Sequence, residues 1–400
     1  MRAGIAVIGA NYGDEGKGLV SSYFSSRFAD DCTVVRFNGG AQAGHTVVTP
    51  DGRRHVFSHF GAGSFSGCPT YLSQFFVVNP RLFIKELREL EGLSVYPKVS
   101  IDPRAFVTTP IDVLVNQAIE MKRGKNRHGS CGVGINETVT RCLRSSQFAT
   151  QAKEFMNPAV LKDKLMILFD KCLPLRLEEL AVRLDGTPFS PGLLNAEAIV
   201  STFIDDCEVL LDYAEISFSL PKSRFVLFEG AQGLMLDENR LDQFPHVTRS
   251  KTGLENVAML CRKFGIEYLE VNYVTRTYLT RHGAGPLPGE CSWRFADATN
   301  VPNPFQGNLR HAPLNVEDLK YSIDLDLRRG KYLFPHLRAG LVVTCVDQLA
   351  LPDLVGLALP VNMISYGPCT DDIETLNSES KNYLKSALKP ISRASAVLRA

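Results

Sequence analysis

The sequence has little net charge and no long apolar run, and these two absences exclude several classes of protein. Lys and Arg number 44 against 43 for Asp and Glu, which leaves a formal charge of +1 at pH 7. No overall field therefore favours nucleic acid or an acidic surface as a partner. No uninterrupted apolar stretch approaches the roughly 20 residues of a membrane-spanning helix. With 44% hydrophobic and 22% charged residues, the composition is that of a soluble, folded protein.

The ten cysteines include no C-x-x-C pair, which argues against a disulfide framework and against a structural zinc site. Buried or free thiols in a reducing compartment are the simpler interpretation. The opening apolar run is too short for a secretory signal and leads into glycines rather than a small-residue cleavage site. We therefore expect a cytoplasmic protein.

Short β-branched strands followed by glycine turns predict the fold. Residues 5–8, 32–37 and 224–229 are such strands, and each runs into a glycine-rich loop. Parallel α/β sheets bind their ligands at such strand ends. We predict one domain over residues 1–400 with an α/β fold. Its large, mostly parallel central sheet carries P-loop-like phosphate-binding loops, and helical periodicity predicts a helical insertion at about 150–220.

The loop after the first strand, "GANYGDEGKG", matches a phosphate-binding loop only in part. Gly16 and Lys17 fit the P-loop pattern G-x-x-x-x-G-K-[ST]. Asn11 stands where the first glycine should be, and Gly18 stands where Ser or Thr would hold magnesium. What remains is a set of backbone donors, a lysine for phosphate and a carboxylate at Asp14 that could act as a base or a Mg²⁺ ligand. On this loop alone, a solvated acidic turn is an equally good interpretation.

A second glycine-rich loop, "RFNGGAQAGHT", favours the functional interpretation. Its small residues allow the backbone to approach a ligand, and His45 lies between Gly44 and Thr46 rather than among apolar residues. A histidine in such a loop is suited to stabilise charge near a γ-phosphate during its transfer.

Six segments together resemble the signature segments of the adenylosuccinate synthetases, in order and in approximate spacing. They extend from residue 11 to about 374 and read "NYGDEGKG", "FNGGAQAGHT", "FEGAQGLMLD", "FPHVTRS", "TRHGAGPLP" and "ISYGPCTDDIE". Enzymes of that family join L-aspartate to C6 of IMP with GTP and Mg²⁺. They first phosphorylate O6 of the purine and then displace the phosphate with the amine of aspartate. The resemblance implies a ligase of this C–N type, active in purine nucleotide biosynthesis.

The resemblance also implies roles for the residues of the first two loops. Asp14 would take the proton from purine N1 and, with the carbonyl of Gly44, hold Mg²⁺. Lys17 would hold the phosphates of the donor, and His45 would stabilise the phosphoryl group in transfer. The other phosphate contacts of the first loop would come from Gly13, Glu15, Gly16 and Gly18.

Further segments supply the two nucleotide sites by the same resemblance. The purine monophosphate would contact residues from several loops, namely Gln42, Ser130, Cys131, Gly132, Gln232 and Thr248. Arg141 matches an arginine that family members lend across a dimer interface, so a homodimer with shared sites is expected. The base of the donor would contact Asp347, Ser365 and Gly367.

Several positions depart from the family pattern, and they bear on the choice of nucleotide. Cys345 stands where the family has a guanine-reading lysine, which leaves both ATP and GTP open as donors. The usual run of arginines in the aspartate loop is replaced by "FQGNLRH", where Arg310 is the candidate for the carboxylate of aspartate. Asn308, in the same loop, stands where an arginine would reach the ribose 2′-OH, and losing that contact removes a reason to prefer ribonucleotides. Gln42 and Cys131 replace an asparagine and a threonine.

These departures are similar to those of a viral and archaeal-like branch that makes 2-amino-2′-deoxyadenylosuccinate from dGMP, on the route to diaminopurine DNA, and can use ATP. Asp14 argues the other way, because several viral members have a small residue there that makes room for the 2-amino group. We expect a 6-oxopurine monophosphate, L-aspartate and ATP or GTP as substrates, with dGMP or GMP slightly favoured over IMP. Nucleic acid and membrane partners are not expected, and the location would be the host cytoplasm if the protein is viral.

Two other hypotheses compete with the ligase. A catalytically silent nucleotide-binding regulator would explain the missing arginine run, and it predicts nucleotide binding without aspartate-dependent turnover. A generic P-loop GTPase would need Ser or Thr after Lys17 and an N-K-x-D base motif, and the sequence has neither.

Overall fold

The structure is a computed structural model, and it describes residues 2–124, 130–184, 194–295, 299–300, 307–334, 336–354 and 356–376. The strands in these ranges are β1 Arg2–Gly9, β2 Cys32–Arg36, β3 His45–Val48, β4 Arg54–Phe57, β5 Thr70–Leu72, β6 Val77–Val78, β7 Val99–Ile101, β8 Phe106–Val107, β9 Ala214–Ile216, β10 Phe225–Gly233, β11 Ile266–Arg276, β12 Tyr278–Arg281, β13 Arg310–Pro313, β14 Leu337–Thr344, β15 Val361–Ser365 and β16 Ile373–Thr375. The α-helices are α1 Lys17–Arg27, α2 Pro80–Gly92, α3 Pro110–Arg123, α4 Ile135–Arg144, α5 Pro158–Ile167, α6 Leu173–Glu179, α7 Ala196–Tyr213, α8 Leu254–Phe264 and α9 Val316–Leu333.

Ten of these strands form one sheet in the order β16-β15-β14-β11-β1-β10-β2-β5-β7-β9. Every neighbouring pair is parallel except β15 with β16, which is antiparallel. The predicted α/β fold with a large, mostly parallel sheet is therefore confirmed.

Strand β1 lies in the middle of the sheet because its side chains are apolar on both faces. Ile5 and Val7 pack in one buried cluster with residues of α1. Ala6 and Ile8 pack in another cluster with residues of α8 and α9. A strand covered by helices on both faces needs a continuous apolar run rather than an alternating one, and residues 5–8 supply it.

The third large cluster lies at the β9 edge of the sheet, where α2, α3, α5 and α7 pack on β5 and β7. In the part of 150–220 that the structure describes, α5, α6 and α7 account for most residues. The division of the chain into one domain stays a prediction. No helix among the described residues is long and apolar enough to cross a membrane.

Candidate active site

The first loop forms a tight cradle at the start of α1. Gly16 has a φ of 97°, in the left-handed region that favours glycine, and the helix begins at Lys17. The carboxylate of Glu15 is buried. It accepts hydrogen bonds from the backbone N–H groups of Asn11 (3.1 Å) and Gly13 (2.8 Å) and from Nζ of Lys17 (2.6 Å). Glu15 is thus the acid that pairs with the lysine of this loop.

Asp14 instead contacts a loop that follows another strand. Its Oδ2 lies 3.0 Å from Nε2 of His282, just after β12, and Arg276 donates to its backbone carbonyl. Burial opposes ionisation of Asp14. The hydrogen bond and charge of His282, with the charges of Arg276 and Lys17, outweigh burial and hold the pKa of this carboxyl below its usual value. Asp14 is therefore ionised at neutral pH, as a base or a Mg²⁺ ligand must be.

The residues near Asp14 supply only a few of the oxygen ligands that Mg²⁺ needs. This ion takes oxygen ligands and is commonly held by one or two carboxylates together with nucleotide phosphates. Asp14 supplies an ionised carboxylate, and Gly44 is exposed next to His45. Within the described ranges, no group of three or more His, Cys, Asp or Glu side chains could hold a metal ion. The site thus suits a metal that takes most of its ligands from bound phosphates.

His45, the first residue of β3, is held by an ion pair from two other strands. Its Nδ1 lies 2.5 Å from Oε1 of Glu229 on β10 and 2.9 Å from Nη1 of Arg36 at the end of β2. Arg36 donates to the same oxygen of Glu229, and the backbone N–H of Ala62 donates to the other oxygen (3.0 Å). Burial and the charge of Arg36 lower the pKa of His45 to about 4, although Glu229 acts in the opposite direction. The imidazole is therefore neutral at pH 7.

The loop after β2 is tied to the end of β10 and to the loop before α8. The side-chain amide of Asn38 accepts from the N–H of Ala231 (2.7 Å) and donates to its carbonyl (3.0 Å). The N–H of Gly39 donates to Oγ of Ser250 (3.1 Å). Ser250 lies two residues after Thr248, so these bonds bring the predicted phosphate threonine to the glycine-rich loops.

Gln42 and Gln232 contribute two amides to the space beside Gly39. A Cβ built on Gly39 would lie 3.3 Å from Oε1 of Gln232 and 3.5 Å from Nε2 of Gln42. Both Oε1 atoms are buried, and neither has a hydrogen-bond partner in the part of the chain that the structure describes. Because buried acceptors without a partner are costly, these amides are suited to a polar ligand.

Residues 130–132 form a turn that leads into α4. Oγ of Ser130 accepts from the N–H of Gly132 (3.2 Å) and hydrogen-bonds to Asn116 (3.0 Å), with the half-buried Cys131 between them. A Cβ built on Gly40 would lie 2.7 Å from Cδ1 of Ile135, at the start of α4. The predicted second phosphate segment therefore adjoins the glycine pair at the end of β2.

Arg141 is buried inside its own chain. Nε and Nη2 donate to the carboxylate of Asp112 (2.8 and 2.7 Å). Nη1 donates to the carbonyl of Phe148 (2.5 Å) and to Oγ1 of Thr150 (3.1 Å), and Nη2 also donates to the carbonyl of Val107 (3.0 Å). A guanidinium has five N–H groups, and these bonds use all of them. The contact of Arg141 across a dimer interface stays a prediction, and it would require this network to open.

The carboxyl ends of β14 and β15 lie against the first loop. Oγ1 of Thr344 donates to the carbonyl of Glu15 (2.7 Å). Asp347 is exposed, and the N–H of the preceding valine donates to the carbonyl of Ser365 (3.1 Å). The hydroxyl of Ser365 donates to the carbonyl of Gly367 (2.6 Å). The residues predicted for the base of the donor therefore adjoin the loop predicted for its phosphates.

Arg310 lies on the two-stranded ribbon formed by β12 and β13, directly opposite Arg281. Its Nη1 donates to Glu290 (2.7 Å) and its Nη2 to the carbonyl of Gly285. Its Nε is buried without a partner among the residues that the structure describes. Burial is the main cause that lowers the pKa of Arg281 to about 10, with the charge of Arg310 acting in the same direction. Two facing arginines make this end of the ribbon positive, as a carboxylate ligand requires.

Asn308 is exposed at the start of the same ribbon. Residues 305 and 306, also part of the predicted aspartate loop, lie outside the described residues. An aromatic group packs on the ribbon. The ring of Trp293, the only tryptophan of the sequence, lies 6.0 Å from that of Phe295, which stacks on Tyr278 at 4.1 Å.

Three ionisable residues of this site were not predicted from the sequence. They are Arg36, Glu229 and His282, and all three lie in segments already singled out for other residues. A signal was available for two of them. Arg36 and Glu229 each stand where a buried apolar strand meets a glycine-rich loop, a position where a charged side chain is rarely needed for packing.

The comparison with known families is decisive for this chain. Residues 6–304, well over half of its length, match the family model described as adenylosuccinate synthetase. The chain belongs to the adenylosuccinate synthetase family. The adenylosuccinate synthetase of Trichormus variabilis is 33% identical over 310 residues, which cover 72% of this chain and 62% of that protein. The adenylosuccinate synthetase of Borrelia turicatae is 27% identical over 80% of this chain and 74% of its own length. The match thus spans less than two thirds of the length of the Trichormus variabilis protein.

Two solved structures share the adenylosuccinate synthetase fold of this chain. The fully ligated adenylosuccinate synthetase of Plasmodium falciparum has a TM-score of 0.69 at 18% identity, and the match covers 93% of this chain and 99% of that one. The succinoaminodeoxyadenylate synthetase of cyanophage S-2L, bound to dGMP and to dATP as an energy donor, has a TM-score of 0.58 at 16% identity. That match covers 97% of this chain and 98% of the other. At these identities the likeness concerns the fold.

Proposed function

We propose that this chain is a Mg²⁺-dependent ligase that joins L-aspartate to C6 of a 6-oxopurine nucleoside monophosphate. The reaction proceeds through a 6-phosphoryl intermediate and hydrolyses a nucleoside triphosphate. One observation carries the proposal: the loop with Asp14 and Lys17 packs directly on the loop with His45. A Cβ built on Gly18 would lie 2.7 Å from the carbonyl oxygen of Thr46. A base, a cation for phosphate and an imidazole therefore share one edge of the sheet.

The first step needs a base, because a neutral lactam oxygen is a poor nucleophile until N1 loses its proton. Asp14 is the candidate, since it is ionised and His282 fixes its carboxylate. Loss of the N1 proton makes O6 the nucleophile that attacks the γ-phosphorus, and the bond from that phosphorus to the bridging oxygen breaks. The amine of aspartate then attacks C6, and phosphate leaves.

The transferred group carries negative charge on its oxygens throughout. Lys17 holds one hydrogen bond to Glu15, and its ammonium has two further N–H groups for the donor phosphates. Nδ1 of His45 is held by Glu229, which leaves Nε2 for the phosphoryl group. Mg²⁺, when bound by Asp14 and the carbonyl of Gly44, would neutralise charge on the donor phosphates.

The choice of nucleotide leans towards dGMP or GMP, with ATP or GTP as donor. Asn308 and Cys345 support this, because they replace side chains with which the family reads a ribose hydroxyl and guanine. The cyanophage enzyme that shares the fold is bound to dGMP and dATP, which agrees with the same choice. The retained Asp14 supports the alternative, a classical adenylosuccinate synthetase that uses IMP and GTP. A cytoplasmic homodimer is part of the proposal.

The test is a phosphate-release assay with L-aspartate and Mg²⁺ that crosses IMP, GMP and dGMP with GTP and ATP, with products identified by mass. We expect turnover with at least one pair and a product that contains aspartate. Asp14→Asn should nearly abolish it. Asp51→Asn is the matched control, because Asp51 is an exposed acid in a surface turn.

Three outcomes have distinct meanings. Turnover with dGMP, especially with ATP, supports the diaminopurine type of reaction, and turnover with IMP and GTP alone supports the classical one. Binding of nucleotides without any aspartate-dependent turnover would contradict the ligase and favour the silent regulator. Full activity of Asp14→Asn would contradict the assigned base.

A further inference from the structure

We propose that Glu229, fixed in place by Arg36, is the positioning residue of His45. The ion pair holds Nδ1 of the imidazole so that Nε2 meets the phosphoryl group in transfer. This inference rests on the proposed function, in which His45 stabilises that group.

The geometry around Glu229 supports this role. One of its carboxylate oxygens accepts from both Arg36 and His45, and the other accepts from the backbone N–H of Ala62 (3.0 Å). The carboxylate is completely buried on β10, between β2 and the start of β3. Its partners therefore come from three separate segments of the chain, and they leave the imidazole little freedom to turn.

Arg36 is not bonded in the way that a purely structural buried arginine is. Arg141 is a useful comparison within the same chain, since all five of its N–H groups have acceptors. Arg36 is fully buried, yet of its three guanidinium nitrogens only Nη1 donates a hydrogen bond, to Glu229, within the described part of the chain. Its Nε and Nη2 have no partner among the residues that the structure describes. Because buried donors without acceptors are costly, Arg36 is better explained by its charge next to Glu229 than by its hydrogen bonds.

The charge of Arg36 has a chemical purpose at this position. A buried carboxylate without a counter-ion would repel the phosphoryl group that His45 must approach. Arg36 neutralises Glu229, and Lys17 is the other charged group that acts on His45. The pair therefore orients the imidazole without adding net negative charge next to the donor phosphates.

A double-mutant cycle tests the inference with the aspartate-dependent assay. Glu229→Gln should lower kcat by about 10- to 100-fold, as is typical when a supporting partner of a functional side chain is lost, with the KM values for both nucleotides little changed. His45→Gln should lower kcat by about 10²- to 10³-fold. The double variant should be no slower than His45→Gln alone, because Glu229 acts through the imidazole. Arg36→Met should resemble Glu229→Gln, and Arg36→Lys should restore part of the activity.

Glu120→Gln is the matched control. Glu120 is also a completely buried glutamate, and it accepts from Nη1 of Arg123 on its own helix, α3 (2.7 Å). The factor by which this control lowers kcat should multiply with the factor for His45→Gln, as expected for independent sites. If the decreases in kcat caused by Glu229→Gln and His45→Gln multiply in the same way, the proposal that Glu229 positions His45 is wrong.

A second measurement does not depend on activity. In the unliganded protein labelled with ¹⁵N-histidine, the Nδ1 proton of His45 should give a strongly downfield NMR signal, since the nitrogen lies 2.5 Å from a carboxylate oxygen. The signal should vanish in His45→Gln and Glu229→Gln and persist in Glu120→Gln. A wild-type protein with this signal but without aspartate-dependent turnover would contradict the proposed function and leave the ion pair supported. Absence of the signal in the wild type would overturn the inference itself.

Discussion

Helix α1 and strand β3 approach so closely at Gly18 that the position has no room for a side chain. A Cβ there would lie 2.7 Å from the carbonyl oxygen of Thr46 and 2.9 Å from the carbonyl carbon of His45. Gly18→Ala must push β3 away from the helix, and His45 moves with it. We expect the variant to lose about 1–3 kcal/mol of unfolding free energy, as overpacking does, and to have a lower kcat. Urea denaturation and the phosphate-release assay measure the two effects.

Gly92→Ala is the control for this substitution. Gly92 ends α2, and a Cβ built on it would meet nothing within 4 Å. It should leave kcat unchanged and stability within about 0.5 kcal/mol of the wild type. A Gly18→Ala enzyme with normal activity and stability would contradict the prediction. It would show that β3 can move away from α1 without loss of unfolding free energy or of kcat.

The acids of the first loop show what a motif can and cannot predict. The spacing of "GDEGKG" predicts a phosphate loop with acids beside a lysine, and the structure has a tight loop there in which Glu15 pairs with Lys17. The spacing cannot predict the hydrogen-bond partners of each acid, because these partners include residues of strands that are distant in sequence. Asp14 meets His282 after β12, whereas Glu15 accepts from its own loop. The roles given to single residues of this loop stay predictions.

Helices α8 and α9 are joined to the sheet by one buried carboxylate. Oδ1 of Asp326 accepts from the N–H of Leu254 (2.9 Å), the first residue of α8, and Oδ2 accepts from the hydroxyl of Tyr273 (2.7 Å) on β11. Burial raises the pKa of Asp326 to about 6 despite these bonds. The folded chain therefore holds the proton more tightly than the unfolded chain, and ionisation of Asp326 costs stability.

We therefore expect the contribution of Asp326 to stability to fall as pH rises from about 4 to 6 and to be constant above that. The total is about 3 kcal/mol, from the difference between the folded pKa and the ordinary value near 4. Asp326→Asn should remove this dependence, so its unfolding free energy relative to the wild type should increase between pH 4 and pH 6. Asp324→Asn, two residues earlier on α9, serves as the control in urea denaturation across this pH range. A difference between Asp326→Asn and the wild type that is independent of pH would contradict the prediction.

The long central strands could be predicted, and the short peripheral ones could not. Strands β1, β10, β11 and β14 are runs of β-branched and aromatic residues that end in glycine or polar loops, a pattern typical of buried parallel strands. Strands β5, β7 and β9 have three residues each, which is too short for any periodicity. The ribbon of β12 and β13 was missed because its strands pair across a Pro- and Gly-rich segment that resembles a surface loop.

The predicted sharing of Arg141 between two subunits can be tested against its contacts within one chain. Five hydrogen bonds hold its guanidinium within one chain, and two of them are donated to a buried aspartate. Arg141→Lys should therefore lower the unfolding free energy by about 1–3 kcal/mol, because lysine keeps the charge next to Asp112 but has three N–H groups instead of five. If Arg141 acts only within its own chain, the KM for the monophosphate should change little. Urea denaturation, steady-state kinetics and sedimentation velocity measure these properties.

Arg144→Lys is the control, one turn further along α4, with a side chain that is 48% exposed. A site shared between two subunits predicts a different result for Arg141→Lys. If Arg141→Lys raised the KM for the monophosphate in a dimer of normal stability, Arg141 would have to leave its own subunit when substrate binds.

The aromatic group beside the β12–β13 ribbon has a practical consequence. Because Trp293 is the only tryptophan and lies near Phe295 and Tyr278, light near 295 nm excites a single fluorophore close to the arginines of the proposed aspartate site. The chain thus carries an intrinsic optical probe of that ribbon. Binding of aspartate at the proposed site would be followed on this probe without a dye and without catalytic turnover.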